Sequence, residues 1–159
     1  MLSATIITLN EEKNLKPCLE SVRFADEIVV VDSGSTDKTL EIAKAFTDKV
    51  FQEPWRGYAR QKNLAQQHAR GPWILNVDAD ERVPPSLQKE IHTLLSRETV
   101  EDGFRIPRKN FCRGRWIRHG GWYPNYMVRL YRKEAGSFAP REVHEQVTVR
   151  GKIGTLKSP

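Results

Sequence analysis

Between Gly71-Pro72 and Arg82 lies a run of large apolar residues, Trp73-Ile74-Leu75-Asn76-Val77, that ends abruptly in Asp78-Ala79-Asp80-Glu81. A short apolar segment bounded by turn residues suits a strand covered on both faces, as in the middle of an α/β sheet. Such sheets hold their ligands beyond the carboxyl ends of the strands. Asp78 and Asp80 alternate about Ala79, so in an extended segment both carboxylates can face one side, about 6–7 Å apart. A hard divalent cation shared with a phosphate needs oxygen ligands presented in this way. The same residues also suit an acidic surface turn ahead of a helix, because carboxylates favour first helical turns.

Two earlier segments repeat the pattern. Thr5-Ile6-Ile7-Thr8-Leu9 is β-branched and apolar on both faces, and it stops at Asn10-Glu11-Glu12. Leu15, Leu19 and Val22 then mark a short amphipathic helix with Asn14 as its N-cap, and Pro17 falls in the first turn, where a missing amide costs little. Ile28-Val29-Val30-Val31 predicts a second buried strand, ending at Asp32-Ser33-Gly34-Ser35-Thr36-Asp37. Ser35 or Thr36 can cap the next helix, which carries Leu40, Ile42, Ala43 and Phe46, while Gly34 relaxes the turn so that the chain can lie close to a ligand. Asp32 is not needed for that cap. Lys49-Val50-Phe51 predicts a short strand, and Tyr58 to Ala69 a helix with Leu64, Ala65 and Ala69 inward; Arg60 and Lys62 can face phosphate, although basic residues on a helix more often face solvent.

Strands alternating with helices imply right-handed crossovers and a mainly parallel sheet. The chain has no GxGxxG and no GxxxxGK segment, which removes the usual dinucleotide-binding and P-loop readings. What remains is a sheet that handles phosphate through acidic loops. The length of 159 residues suits one domain. No apolar run reaches the roughly 20 residues of a membrane span, and the start carries no basic signal region, so the expected location is the cytoplasm. Cys18 and Cys112 lie far apart without metal-site or redox spacing and are expected to be free thiols.

After a helix from Ser86 to Leu95 the composition changes. From Arg105 to Lys133 there is no Asp or Glu, and Phe111, Trp116, Trp122, Tyr123, Tyr126 and Tyr131 interleave with arginines. Such a surface can stack on nucleic-acid bases or pack against sugars while arginine meets phosphate or carboxylate. A net charge of +6 favours an anionic partner but does not choose among nucleic acid, glycan and membrane. The turn His119-Gly120-Gly121-Trp122 suits a close approach to substrate. Glu142, His144 and Glu145 form a further reactive cluster: His144 can ligate a metal or orient a carboxylate, and either glutamate can accept a proton. Val147-Thr148-Val149 predicts a strand, and Gly151 to Pro159 reads as an unfinished-looking tail.

Three segments together, Ile6-Ile7-Thr8-Leu9-Asn10-Glu11-Glu12, Val30-Val31-Asp32-Ser33-Gly34-Ser35-Thr36-Asp37 and Asn76-Val77-Asp78-Ala79-Asp80-Glu81, followed by Val143-His144-Glu145, resemble the inverting glycosyltransferases of family 2. More narrowly, they resemble bacterial lipopolysaccharide-core β-glycosyltransferases that add glucose to inner-core heptose. The resemblance implies a GT-A fold, a Rossmann-like three-layer α/β sandwich with a mainly parallel central sheet. It implies a single domain over 1–159, with residues 1–95 as the nucleotide-sugar-binding half and 96–159 as an incomplete acceptor-binding half. Members of that group continue past the position of Pro159, so the resemblance also implies missing acceptor-side structure and allows a catalytically silent nucleotide-sugar binder.

Carried over residue by residue, the resemblance places Thr8, Asn10 and Glu11 beside the uridine, Asp32 on the uracil and Asp78 at the ribose. Asp80 becomes the principal metal ligand with His144 as a further one, and Glu145, or less strongly Glu142, becomes the catalytic base. The implied donor is a UDP-sugar with Mg2+ or Mn2+, and the implied acceptor an anionic glycan or the lipopolysaccharide core. Peripheral inner-membrane contact is compatible with this, and no nucleic acid is expected. The chemistry is coherent, because a cation neutralises the departing diphosphate and one base suffices for single displacement with inversion. Glycoside hydrolysis would instead use two carboxylates across the scissile bond, a spacing that a sequence does not reveal. A basic nucleic-acid-binding module would account for Arg105 to Lys133 and leave the acidic strand ends without a role.

Overall fold

The computed structural model describes residues 1–112, 115–116, 123–139 and 146–159, with side chains at all of these except 111, 112, 115 and 116. In chain order the elements are β1 (Leu2–Thr8), α1 (Leu15–Ser21), β2 (Glu27–Asp32), α2 (Thr39–Lys44), β3 (Val50–Gln52), α3 (Tyr58–His68), β4 (Trp73–Asn76) and α4 (Pro85–Leu95). There follow β5 (Gly103–Arg108), the short pair β6 (Phe111–Cys112) and β7 (Arg115–Trp116), β8 (Asn125–Arg132), β9 (Gly136–Phe138), β10 (Val147–Val149) and β11 (Ile153–Thr155).

The central sheet has the order β11-β5-β8-β4-β1-β2-β3. Every strand in it except β8 runs the same way, so the mainly parallel sheet expected from the sequence is present. All residues of β1, β2 and β4 are buried, which explains their continuous apolar character: helices cover both faces. On one face α1, α2 and α4 bring Leu15, Leu19, Ala43, Leu87 and Ile91 onto Ile6, Val30, Leu75 and Leu130. On the other, α3 sets Ala59 and Ala69 against Val29, Ile74 and Tyr131. The small β9–β10 sheet joins this second layer, fastened by Asn63, whose amide donates to the Phe138 carbonyl at 2.8 Å and whose carbonyl accepts the Phe138 amide at 3.0 Å.

Several local expectations are corrected. Asn14 precedes α1 but does not cap it; its side chain donates instead to Glu11 Oε2 at 2.9 Å. The start of α2 is held by Asp37, whose Oδ1 accepts the Thr39 amide at 2.9 Å, because Ser35 and Thr36 are engaged with residues 10 and 32. Lys62 is buried in α3, and so is Gln61, whereas Leu64 is only half-buried. In the basic, aromatic stretch Arg129 and Tyr131 are interior residues rather than surface. Tyr131 packs so closely on Gly136 that a Cβ there would stand 2.2 Å from its ring. In the tail, where the sequence predicts no strand, Ile153–Thr155 adds an edge strand beside β5, and Leu156 is buried in the main core. Cys18 is a free, buried thiol whose pKa burial pushes up to about 12 against the opposing charge of Arg82, so it is unreactive.

Candidate active site

The tips of β1 and β2 are zipped together. Asn10, in the left-handed region at φ 55, donates its amide to Ser35 Oγ at 2.8 Å and accepts the Thr36 amide on Oδ1 at 2.9 Å. The Glu11 amide donates to Thr39 Oγ1 at 2.8 Å, the Glu12 amide to Asp37 Oδ2 at 3.2 Å, and Glu12 Oε2 accepts the Lys38 amide at 3.2 Å. Asp32 is the pivot of the second loop. Its Oδ2 accepts the amides of Gly34 and Ser35, each at 2.9 Å, and its Oδ1 accepts the Ser35 hydroxyl. Gly34, at φ +98, supplies a backbone conformation that would strain any residue with a Cβ. The Asp32 carboxylate is thus enclosed in the loop it folds, with three of its roughly four lone-pair sites used.

Two polar atoms here are buried without a partner among the described residues. Thr8 Oγ1, at the end of β1, has none, and neither has Gln61 Oε1, although Gln61 Nε2 donates to Ser33 Oγ at 2.9 Å and to the Glu53 carbonyl at 3.3 Å. Unsatisfied buried groups are costly in a folded chain and are common where a ligand completes them. Thr8 lies among the residues carried over for uridine. Gln61 escaped sequence reasoning, since an amide in a helix carries no signal of its own.

Beyond β4 the chain makes a tight turn closed by the Glu81 amide on the Asp78 carbonyl at 2.9 Å and by Arg82, which donates Nη1 to the Glu81 carbonyl at 2.7 Å. The two aspartates of this turn have different environments. Asp78 is locked between cations, with Lys62 Nζ 3.0 Å from Oδ1 and Arg129 Nη2 2.7 Å from Oδ2. Arg129 also donates to Glu81 Oε1 at 2.7 Å and to Asn76 Oδ1 at 3.1 Å. Burial alone would raise the Asp78 carboxyl, but the charges and hydrogen bonds of Arg129 and Lys62 outweigh it and hold the group well below the usual carboxylate range. Burial likewise opposes the charge on Arg129, and Asp78 and Glu81 overcome it and raise its pKa. Asp80, by contrast, is exposed and borders a cavity on the β5–β8 side of the turn.

Arg129 reaches this position through a fault in the ladder. Phe104 pairs with Leu130 but Arg105 pairs with Val128, so Arg129 is the extra residue of a β-bulge. It stands just past the last β4–β8 pair, Leu75 with Leu130, and is thereby turned toward the end of β4. A signal for it existed in the sequence: Arg129 is a lone charge inside Met127-Val128-Arg129-Leu130-Tyr131. For Lys62 the signal was its place between Ala59 and Ala65 at helical spacing, on the buried side of α3.

The described structure therefore joins Asn10 and Glu11 to the Asp32 loop and gathers Asp78, Asp80 and Glu81 at the neighbouring strand end. Asp32 and Asp80 do not line one described cavity. Glu142, His144 and Glu145 lie outside the described residues, as does the turn at residues 119–122. Among the described residues, no group of three His, Cys, Asp or Glu side chains is placed to hold a metal ion by itself. Asp80 fits a cation of the kind that takes one or two carboxylates and fills its remaining positions with substrate phosphates and water, whereas Asp78 is already committed to Lys62 and Arg129.

Comparison with known proteins first defines the architecture. Over 99% of this chain and 58% of the other, it superposes on residues 1–349 of S. aureus TarS with a TM-score of 0.71 at 22% identity. It also superposes on glucosyl-3-phosphoglycerate synthase from Mycobacterium tuberculosis, solved with Mn2+ and UDP-glucose, with a TM-score of 0.56 at 23% identity over 67% and 43% of the two chains. This is the GT-A type of α/β fold. The family model for glycosyl transferase family 2 matches residues 3–148, and the chain belongs to that family. In sequence it is 36% identical to the lipopolysaccharide core biosynthesis glycosyltransferase LpsC of Rhizobium meliloti, over 99% of this chain and 60% of the relative. It is 38% identical to a glycosyltransferase of Rickettsia bellii, over 87% and 48%. The chain thus spans about half to three-fifths of the curated relatives it matches.

Proposed function

We propose that this chain binds a nucleotide-diphospho-sugar, with UDP-glucose as the first candidate, and transfers the hexose with inversion to a glycan acceptor such as the heptose of a lipopolysaccharide inner core. Family membership and the likeness to LpsC support the reaction class and the direction of the acceptor assignment. The observation that carries the reading is the pairing of a locked Asp78 with an outward Asp80 at one strand end. In this reading Asp78, oriented by Arg129 and Lys62, offers a fixed acceptor to a ribose hydroxyl. Asp80 holds Mg2+ or Mn2+, which would supply charge neutralisation for the departing diphosphate.

Thr8, Asn10 and Glu11 border the uridine, and Thr8 Oγ1 gains there the partner it lacks. Asp32 contributes by fixing the loop, with one lone-pair site left for a base N–H. The acceptor proton goes to Glu145, with Glu142 as the alternative, and His144 assists the cation. Action at the cytoplasmic face of a membrane would suit a lipid-linked acceptor.

Calorimetry with UDP and Mn2+ tests the reading. The chain should bind UDP more tightly with Mn2+ than without, and Asp80→Ala should abolish the difference. A metal effect that persists undiminished in that variant would remove Asp80 as ligand, and no UDP binding at all would remove the donor assignment. Glu145→Gln should keep UDP affinity and lose transfer.

A further inference from the structure

The cavity beside Asp80 has a volume of about 850 Å3, within the range of small-ligand sites. Its apolar surface comes from Leu75, Val77, Leu87, Ile106 and Met127, between α4 and the β4, β8 and β5 strands. Thr8, Asn10, Glu11 and Asp32 do not line it. It therefore lies on the opposite flank of the Asp78–Glu81 turn from the zipped β1 and β2 loops.

One polar feature of this cavity has no structural explanation. Arg108, at the end of β5, lines it, and the Nε–H of its guanidinium is buried with no hydrogen-bond partner among the described residues. The only ion pair described for Arg108 is a long one, Nη1 to Glu81 Oε1 at 3.5 Å, and that oxygen already accepts Arg129 at 2.7 Å. Arg82, on the same wall, is turned back onto the carbonyls of Ala79 and Glu81. Arg108 is thus a cation whose best-directed donor edge is unused. The Nε and Nη2 edge of a guanidinium matches two oxygens of a phosphate or carboxylate, which is the strongest partner it can take.

We infer that this cavity is the acceptor subsite and that the acceptor sugar carries an oxyanion, phosphate or carboxylate, received by Arg108. The inference rests on the transferase reading and adds the place and charge of the second substrate. A transferred hexose such as glucose is neutral, and the donor diphosphate is assigned to Asp80 at the rim of the same cavity, so a loss of UDP affinity in Arg108→Gln would give Arg108 to the donor and overturn the proposal. The C–H face of a pyranose would lie on the apolar floor, with its charged group toward β5.

The test uses the full 159-residue chain saturated with UDP and Mn2+, titrated in turn with mannose 6-phosphate, glucuronate and mannose under ligand-observed NMR. At least one anionic sugar should bind and the neutral one should not; the stronger of the two distinguishes phosphate from carboxylate. Arg108→Gln should weaken that binding roughly tenfold and leave UDP affinity unchanged. The head of Arg108 is partly exposed, so this variant should fold. Leu87→Phe, which fills the cavity from α4, should block the anionic sugar as well. Equal binding of mannose, unaltered binding in Arg108→Gln or in Leu87→Phe, or no binding of either anionic sugar would each overturn the proposal. If the chain fails to bind UDP, the donor assignment falls, and the anion site is still decided by Arg108→Gln in UDP-free protein.

Discussion

Asp32 ends β2 and Asp78 lies in the turn after β4, the two strands that flank β1, yet their carboxylates are supported in opposite ways. Asp32 is satisfied by groups within three residues of itself, two amides and a hydroxyl of Gly34 and Ser35. Asp78 depends on Lys62 from α3 and on Arg129 from β8, both remote in sequence. A locally supported acid folds with its loop. A remotely supported one is correct only when the whole sheet is assembled, so it couples the first half of the domain to the second.

The strongest way to break this contrast is Arg129→Met. Removing Arg129 leaves Asp78 with Lys62 as its remaining cation and Glu81 with the 3.5 Å contact to Arg108, and the loss should be about 3–5 kcal/mol in urea unfolding. The pH dependence should change with it. Because the Asp78 pKa is lowered on folding, its contribution is complete above the unfolded value near 4 and is lost as pH falls through the lower folded value. Acid unfolding should therefore begin at higher pH in the variant. An unchanged acid transition would show that Arg129 does not set the Asp78 charge.

Lys62→Met should cost less, about 2 kcal/mol, because Arg129 still holds Oδ2 of Asp78 while only Oδ1 is released. The double variant should lose a different amount from the sum of the two, since both cations serve one carboxylate. Strict additivity in a double-mutant cycle would mean that they act separately.

What the sequence disclosed follows the same division. β1, β2 and β4 were legible because strands buried on both faces need unbroken apolar runs, and the turns after them were legible because loop-forming residues act on their neighbours. Lys62 and Arg129 were read as surface because basic residues usually are. Their burial depends on an acid that only the fold brings near. β11 was missed for a related reason: Ile153-Gly154-Thr155 is too short to declare a strand, and it becomes one because β5 offers an open edge.

Ser35→Ala gives the smallest effect and the sharpest view of the local side. It removes the hydroxyl's hydrogen bond to Asp32 and the acceptor of the Asn10 amide, which loop water can replace, and leaves the Gly34 and Ser35 amides on Asp32 in place, so about 1.5 kcal/mol should be lost. Its acid transition should coincide with that of the parent chain. A loss as large as that of Arg129→Met would erase the distinction between local and remote support.

The extra residue in β8 also carries information that substitution alone does not probe. Because Arg129 faces β4 by virtue of one surplus peptide unit, removing any single residue between Met127 and Leu130 would let the hydrogen-bond ladder close evenly and withdraw the guanidinium, even if an arginine remained nearby. Chain length through this segment is therefore constrained as tightly as side-chain identity, and an alignment that places a one-residue gap there would misassign the partner of Asp78.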